Sequence, residues 1–181
     1  MNVELRMRLL IVGLLFILPY SLKAQYYQRL AARDFTGTPP AGENFLAYTN
    51  CNVQYTYQVT RHNGQYSLDF DVEVVFNKDK SYIRFNNVSG NDMMLHVLRH
   101  EQGHYNIAYL MKCELSSVFK HHHYSANYEQ EIVSLFKQVE TKYHKINEDY
   151  ENQTQHMQND ASQEKWNAWF SRALDSVPVG V

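Results

Sequence analysis

The chain has 181 residues, of which 44% are hydrophobic and 20% charged, and its formal net charge is −2. At roughly 100–200 residues per domain, this length holds one domain with a short appendage and excludes a two-domain cofactor enzyme. The acidic balance argues against a protein that grips a phosphate backbone, which would be basic.

The first 24 residues read as a secretory signal. Arg6 and Arg8 precede the apolar run Leu9 to Tyr20, and Ser21-Leu22-Lys23-Ala24 ends in a small residue. The run is too short for a membrane span, which takes about 20 residues, so no stable span is expected after signal removal. Without Arg6, Arg8, Lys23 and Glu4, residues 25–181 carry 14 bases and 18 acids. The expected organisation is therefore a signal over 1–24 and a single domain over 25–181, exported to the periplasm or the medium. An exported chain meets oxidising conditions, so Cys51 and Cys113 are expected either as one bridge or as two buried thiols. The sequence is silent on oligomeric state.

Residues 26 to 44 have turn composition, with Asp34-Phe35-Thr36-Gly37-Thr38-Pro39-Pro40 at their centre. The pattern from Phe45 to Phe85 is β-rich. Val53 to Val59 alternates, His62-Asn63-Gly64 supplies a turn, and Tyr66 to Phe76 alternates again, which predicts a hairpin. Ser81 to Phe85 adds a third short antiparallel strand.

After Ser89-Gly90-Asn91 the period becomes helical. A first helix is expected from an Asn91 cap to about Phe119. In a second, Ile132, Phe136, Val139, Tyr143, Ile146 and Tyr150 form an apolar stripe at steps of three and four. A third, shorter helix runs over Ala161 to Leu174, with Trp166 and Trp169 as core anchors. The fold class is α+β: a small antiparallel sheet followed by three helices.

The first helix carries Leu98-Arg99-His100-Glu101-Gln102-Gly103-His104, an H-E-x-x-H sequence. Two His four residues apart stand one above the other on one helix face and can bind one Zn²⁺. Glu101 is rotated about 100° from His100 and reaches the water that such an ion would activate, as general base and then general acid. Gly103, inside a helix, marks a close backbone approach, of which a strand is one source. His96 lies a turn before His100, but the outer two of three successive turns are about 12 Å apart, which places it outside the ligand set. His121-His122-His123 falls at the expected helix end and reads as a solvated turn.

A catalytic zinc takes a third protein ligand. His156 is the first candidate, and its use requires a break in the second helix between about Asn152 and Met157. Glu148 and Glu151 are the rivals. Tyr150 is a second catalytic candidate, as hydrogen-bond donor to the developing oxyanion; its place in the apolar stripe equally fits a core tyrosine.

The chain resembles the predicted secreted zinc-dependent proteases, a bacterial family grouped with the H-E-x-x-H zincins. Four segments carry the resemblance: Arg33-Asp34-Phe35-Thr36-Gly37, Leu98 to Ile107, Tyr150-Glu151-Asn152-Gln153-Thr154-Gln155-His156, and Gln163-Glu164-Lys165-Trp166-Asn167. It implies a zinc peptidase fold with His100 and His104 as ligands and Glu101 as catalyst, favours His156 as third ligand, and implies a peptide or protein substrate aligned against a sheet edge. Where the family often carries acids after the second His, this chain has Asn106 and Tyr109, so the groups that would orient a ligand His are not the expected ones. The rival functions are an exported zinc-binding protein without turnover and a structural interaction domain.

Overall fold

The computed structural model describes residues 27–177. The secretory signal expected over 1–24 lies outside them. The chain is α+β: strands β1 (Ala47–Tyr48), β2 (Cys51–His62), β3 (Gln65–Phe76) and β4 (Tyr82–Ile83) precede helices α1 (Gly90–His121), α2 (Tyr128–Thr154) and α3 (Asp160–Asp175). No helix among the described residues is long and apolar enough to cross a membrane.

β2 and β3 form the expected hairpin, in antiparallel register from Cys51 opposite Phe76 to His62 opposite Gln65. Its two-residue turn holds Asn63 and Gly64 at φ 50° and 83°, the left-handed pair that matches strand twist. The third strand does not extend this hairpin. β4 pairs instead with β1, Ala47 opposite Ile83, in a second two-stranded sheet. The Asp34 region explains this separation. Gly37 N–H donates to the Ser81 carbonyl and Thr36 N–H to that of Lys78, so the lead-in occupies the backbone beyond β3. A Cβ on Gly37 would stand 2.8 Å from the Asp79 and Ser81 carbonyl oxygens. Asp34 is buried there, accepting from Ala31 N–H at 2.9 Å and pairing with Lys78 at 2.6 Å.

α1 begins one residue before the expected cap and runs through His121, 32 residues in all. The histidine tract lies at its end as expected, with His121 and His123 exposed and His122 paired with Glu131 at 3.2 Å. The α2 stripe from Ile132 to Tyr150 packs entirely into one core cluster with Leu110, Leu115, Phe119, Phe170 and the hairpin's Val72; Trp166 and Trp169 pack against it. A second cluster, with Val74, Ile83, Val97 and Tyr105, joins the first half of α1 to the lead-in and both sheets. Cys51 and Cys113 are free thiols. Burial, with Glu101 nearby, pushes the Cys51 thiol up to about 12.

α2 ends abruptly. Gln155, His156 and Met157 all have left-handed backbone, at φ 51°, 51° and 76°, a conformation that costs non-glycine residues roughly 1–2 kcal/mol each. The Asn159 N–H returns to the Thr154 carbonyl at 2.9 Å, and Asn159 caps α3 by accepting from Ser162 N–H.

Candidate metal centre

α1 and α2 cross where His100, Glu101 and His104 meet the last turns of α2. The crossing is tight because position 103 has no side chain: a Cβ there would lie 2.2 Å from the Tyr150 hydroxyl. The close approach comes from α2, not from a strand. The Tyr150 ring lies flat against His100, with centroids 4.9 Å apart, and its hydroxyl donates to the His100 carbonyl at 2.9 Å.

His100, His104 and Glu151 are the only group of three metal-binding residue types that converges among the described residues, their ligand atoms all within 4.8 Å of one another. Glu151 Oε1 lies 2.9 Å from His104 Nε2, and Oε2 lies 3.7 Å from His100 Nε2. Glu148 points away, two-thirds exposed and 3.9 Å from Lys145. The left-handed turn folds His156 back over the site, so that its Nδ1 stands 2.6 Å from Glu151 Oε2 while its side chain remains 56% exposed. Of the ligands expected from the sequence, His100 and His104 therefore converge directly, and His156 meets them through Glu151.

The far nitrogen of each histidine is held by a neutral amide. His100 Nδ1 donates to Gln163 Oε1 at 3.1 Å, and His104 Nδ1 to Asn147 Oδ1 at 2.8 Å. Gln163 has no freedom to turn, because its amide nitrogen donates to the Tyr150 hydroxyl and to Asn167 Oδ1, each at 3.0 Å. With the proton on Nδ1, both Nε2 lone pairs face the Glu151 carboxylate. Lone pairs at 2.9–3.7 Å repel unless a cation stands among them, either a proton or a metal ion. Accordingly, although burial disfavours charge on His104, Glu151 and Glu101 raise its affinity for a proton. Burial likewise opposes the charge on Glu151, but contacts with His100 and His104 outweigh it and hold this carboxyl well below the usual range.

Glu101 sits beside this cluster, 3% exposed. Burial raises its carboxyl above the ordinary range, against the pull of His104. Glu101 Oε2 is buried without a hydrogen-bond partner among the described residues, whereas Glu151 Oε2, also buried and outside hydrogen-bond geometry, has the His156 and His100 ring nitrogens beside it at 2.6 and 3.7 Å. Two imidazoles, the Glu151 carboxylate and the unpartnered Glu101 Oε2 beside them fit a zinc ion and its water in ligand type and charge.

Tyr150 is fully buried, and burial raises its phenol well above the ordinary range. With its hydroxyl bonded to His100 and Gln163, it acts here as a wall that fixes the His100 ring. His96 lies outside the ligand set but serves it: its Nε2 meets the Met157 carbonyl at 2.8 Å, tying the left-handed turn to α1. Asn147, Gln163 and Thr49, whose hydroxyl donates to the Glu101 carbonyl at 3.4 Å, were not singled out in the sequence. One signal was available: Glu140, His144, Asn147 and Glu151 step by four, three and four, a polar stripe alongside the apolar one. Gln163 heads one of the four segments that carry the family resemblance, but no spacing in the sequence gives it a role at the site.

The site opens into a cleft of about 1000 Å³, walled by α1, α2 and residues 44–53. The chain belongs to the family described as bacterial protein of unknown function (DUF922), which matches residues 20–157. The match takes in every residue of the cluster and His156, and ends before Gln163. No curated protein and no solved structure matches the chain.

Proposed function

We propose that this protein is an exported zinc metallopeptidase that hydrolyses peptide bonds, with His100, His104 and Glu151 as ligands and Glu101 as general base. The observation that carries the reading is the convergence of His100, His104 and Glu151 beside a buried Glu101 whose Oε2 has no partner. The resemblance to H-E-x-x-H zincins supports it independently of this geometry.

Bound Zn²⁺ would polarise the scissile carbonyl and make water acidic enough to attack near neutral pH. The rest of the chemistry belongs to the chain. Asn147 and Gln163 hold both ligand rings in the tautomer that presents Nε2. Glu101 takes the proton of the attacking water on Oε2, and its raised proton affinity suits it to pass that proton to the leaving amine. His156, leaning on Glu151 from the cleft side, holds that carboxylate in place.

Three variants test the reading. Glu101→Gln should keep one zinc per chain and lose about 10²–10⁴-fold in peptide hydrolysis, the usual worth of a positioned base. Unchanged hydrolysis in that variant would refute catalysis by Glu101. Glu151→Gln should lose zinc on dialysis, whereas His156→Ala should keep most of it; the reverse order would make His156 the third ligand.

A further inference from the structure

The cleft's shape bears on which bonds the site reaches. Along α1 it is lined from Met93 to Met111, 18 residues or about 27 Å of helix. His100 and His104 lie at the middle of that span. The facing wall is the continuous segment 44–53, and its midpoint, Thr49, is tied to Glu101. The cleft thus runs about 13 Å to either side of the ligand histidines, room for about four extended residues on each side at 3.3 Å apiece.

The two arms differ. One is bounded by Phe45, Leu46, Tyr48, Met93, His96 and His156; the other is lined by Val53, Ile107, Met111, Phe136 and Tyr143. No lysine or arginine lines either arm among the described residues, and the lining histidines already have partners: His96 the Met157 carbonyl and Asp160, His156 Glu151, and His144 Glu140, so no free cation stands there for a substrate's terminal carboxylate. A free amino terminus beside the bond would need a spare carboxylate. The remaining one, Glu140, lies 11 residues from Glu151, about 16 Å along α2, and is paired with Lys137 at 2.9 Å.

We propose that the cleft takes the interior of an extended peptide, seats a large apolar side chain in the Val53–Ile107–Met111 arm, and cuts without reading either chain end. This rests on the peptidase reading and narrows it to an endopeptidase for apolar segments.

The test digests a peptide library with zinc-loaded wild type, each sequence supplied both with free ends and with an acetylated amino end and amidated carboxyl end. Capped peptides should be cut within about twofold of the free rate, at internal bonds standing in a constant position relative to a large apolar residue. Ile107→Val, which removes one methylene from that arm, should shift the preference among apolar residues about tenfold. Calorimetry with Glu101→Gln adds a readout free of turnover: capped and free peptides should bind within about twofold of each other.

Trimming of terminal residues with capped peptides left intact, or a tenfold loss of binding on capping, would overturn the endopeptidase inference and leave the hydrolase reading standing. Internal cutting with no apolar preference would overturn the apolar arm. Absence of any zinc-dependent cleavage would overturn the hydrolase reading and this inference with it.

Discussion

The two halves of α1 are held by different physics. From His100 to Asn106 the helix buries His100 and Asn106 against an amide and a hydroxyl at hydrogen-bond distance, and buries Glu101 with one oxygen left unpartnered. From Leu110 to Phe119 it buries Leu110, Met111, Leu115 and Phe119 against α2 and the hairpin, with Phe119 stacked on Phe70 at 4.2 Å. Hydrogen bonds are directional and fail over fractions of an ångström, whereas apolar packing answers mainly to volume. The first half thus fixes the geometry of a site, and the second supplies the adhesion that keeps α1, α2 and the hairpin together.

That contrast is broken most strongly at Phe119. Phe119→Ala should cost about 3–5 kcal/mol in denaturant unfolding, while the zinc affinity of the folded protein stays within about twofold of wild type. A parallel fall in zinc affinity would mean that the two halves are not separable.

Gly103→Ala joins them at the crossing. The added methyl meets the Tyr150 hydroxyl and ring at 2.2 and 2.4 Å, so stability should fall by about 1–3 kcal/mol or somewhat more, as overpacking does. Because Tyr150 also walls His100, zinc affinity should fall in the same variant, measured by competition with a chelator.

Asn147→Ala and Gln163→Ala sharpen the comparison from the polar side. Each should weaken zinc binding about 10–100-fold, the usual effect of removing a group that orients a ligand histidine. In denaturant unfolding each should lose about 1–3 kcal/mol, the cost of leaving a buried polar partner unpaired, and less than Phe119→Ala loses. Wild-type zinc affinity in both would show that the amides do not hold the rings.

The helices and the hairpin were legible in the sequence because apolar residues recur there at periods of 3.6 and 2 against simple partners. So were His100, Glu101 and His104, which one helical turn brings together without help from the rest of the chain. The separate β1–β4 sheet was not, because it depends on backbone bonds from Thr36 and Gly37 to a loop some 40 residues on. Glu151 was visible only as a rival to His156: the α2 periodicity places it beside Tyr150 on the inner face, but nothing local announces the three left-handed residues that follow. Gln163 was hidden for the same reason. Its role exists only once α3 has been turned back onto α1.

The smallest effect is expected far from the site. The Lys78 ammonium beside Asp34, with the Ala31 N–H, holds that carboxyl below its ordinary value, against burial. A depressed carboxylate stabilises the fold above its unfolded pKa, near 4, and loses that contribution as pH falls through its lower folded value. Asp34→Asn should therefore remove about 0.2–1 kcal/mol at neutral pH, the range for a pair whose lysine is exposed, and flatten the acid limb of the stability curve. Zinc content should not change.

The claim on which the rest depends is that His100 and His104, with Glu151, hold one zinc ion. Metal analysis of the purified protein after dialysis against trace-metal-free buffer, with His104→Ala beside it, measures this directly. One zinc per wild-type chain and none in the folded variant is the expected result. Wild type without zinc even after reconstitution, or a variant that keeps its full complement, would contradict it.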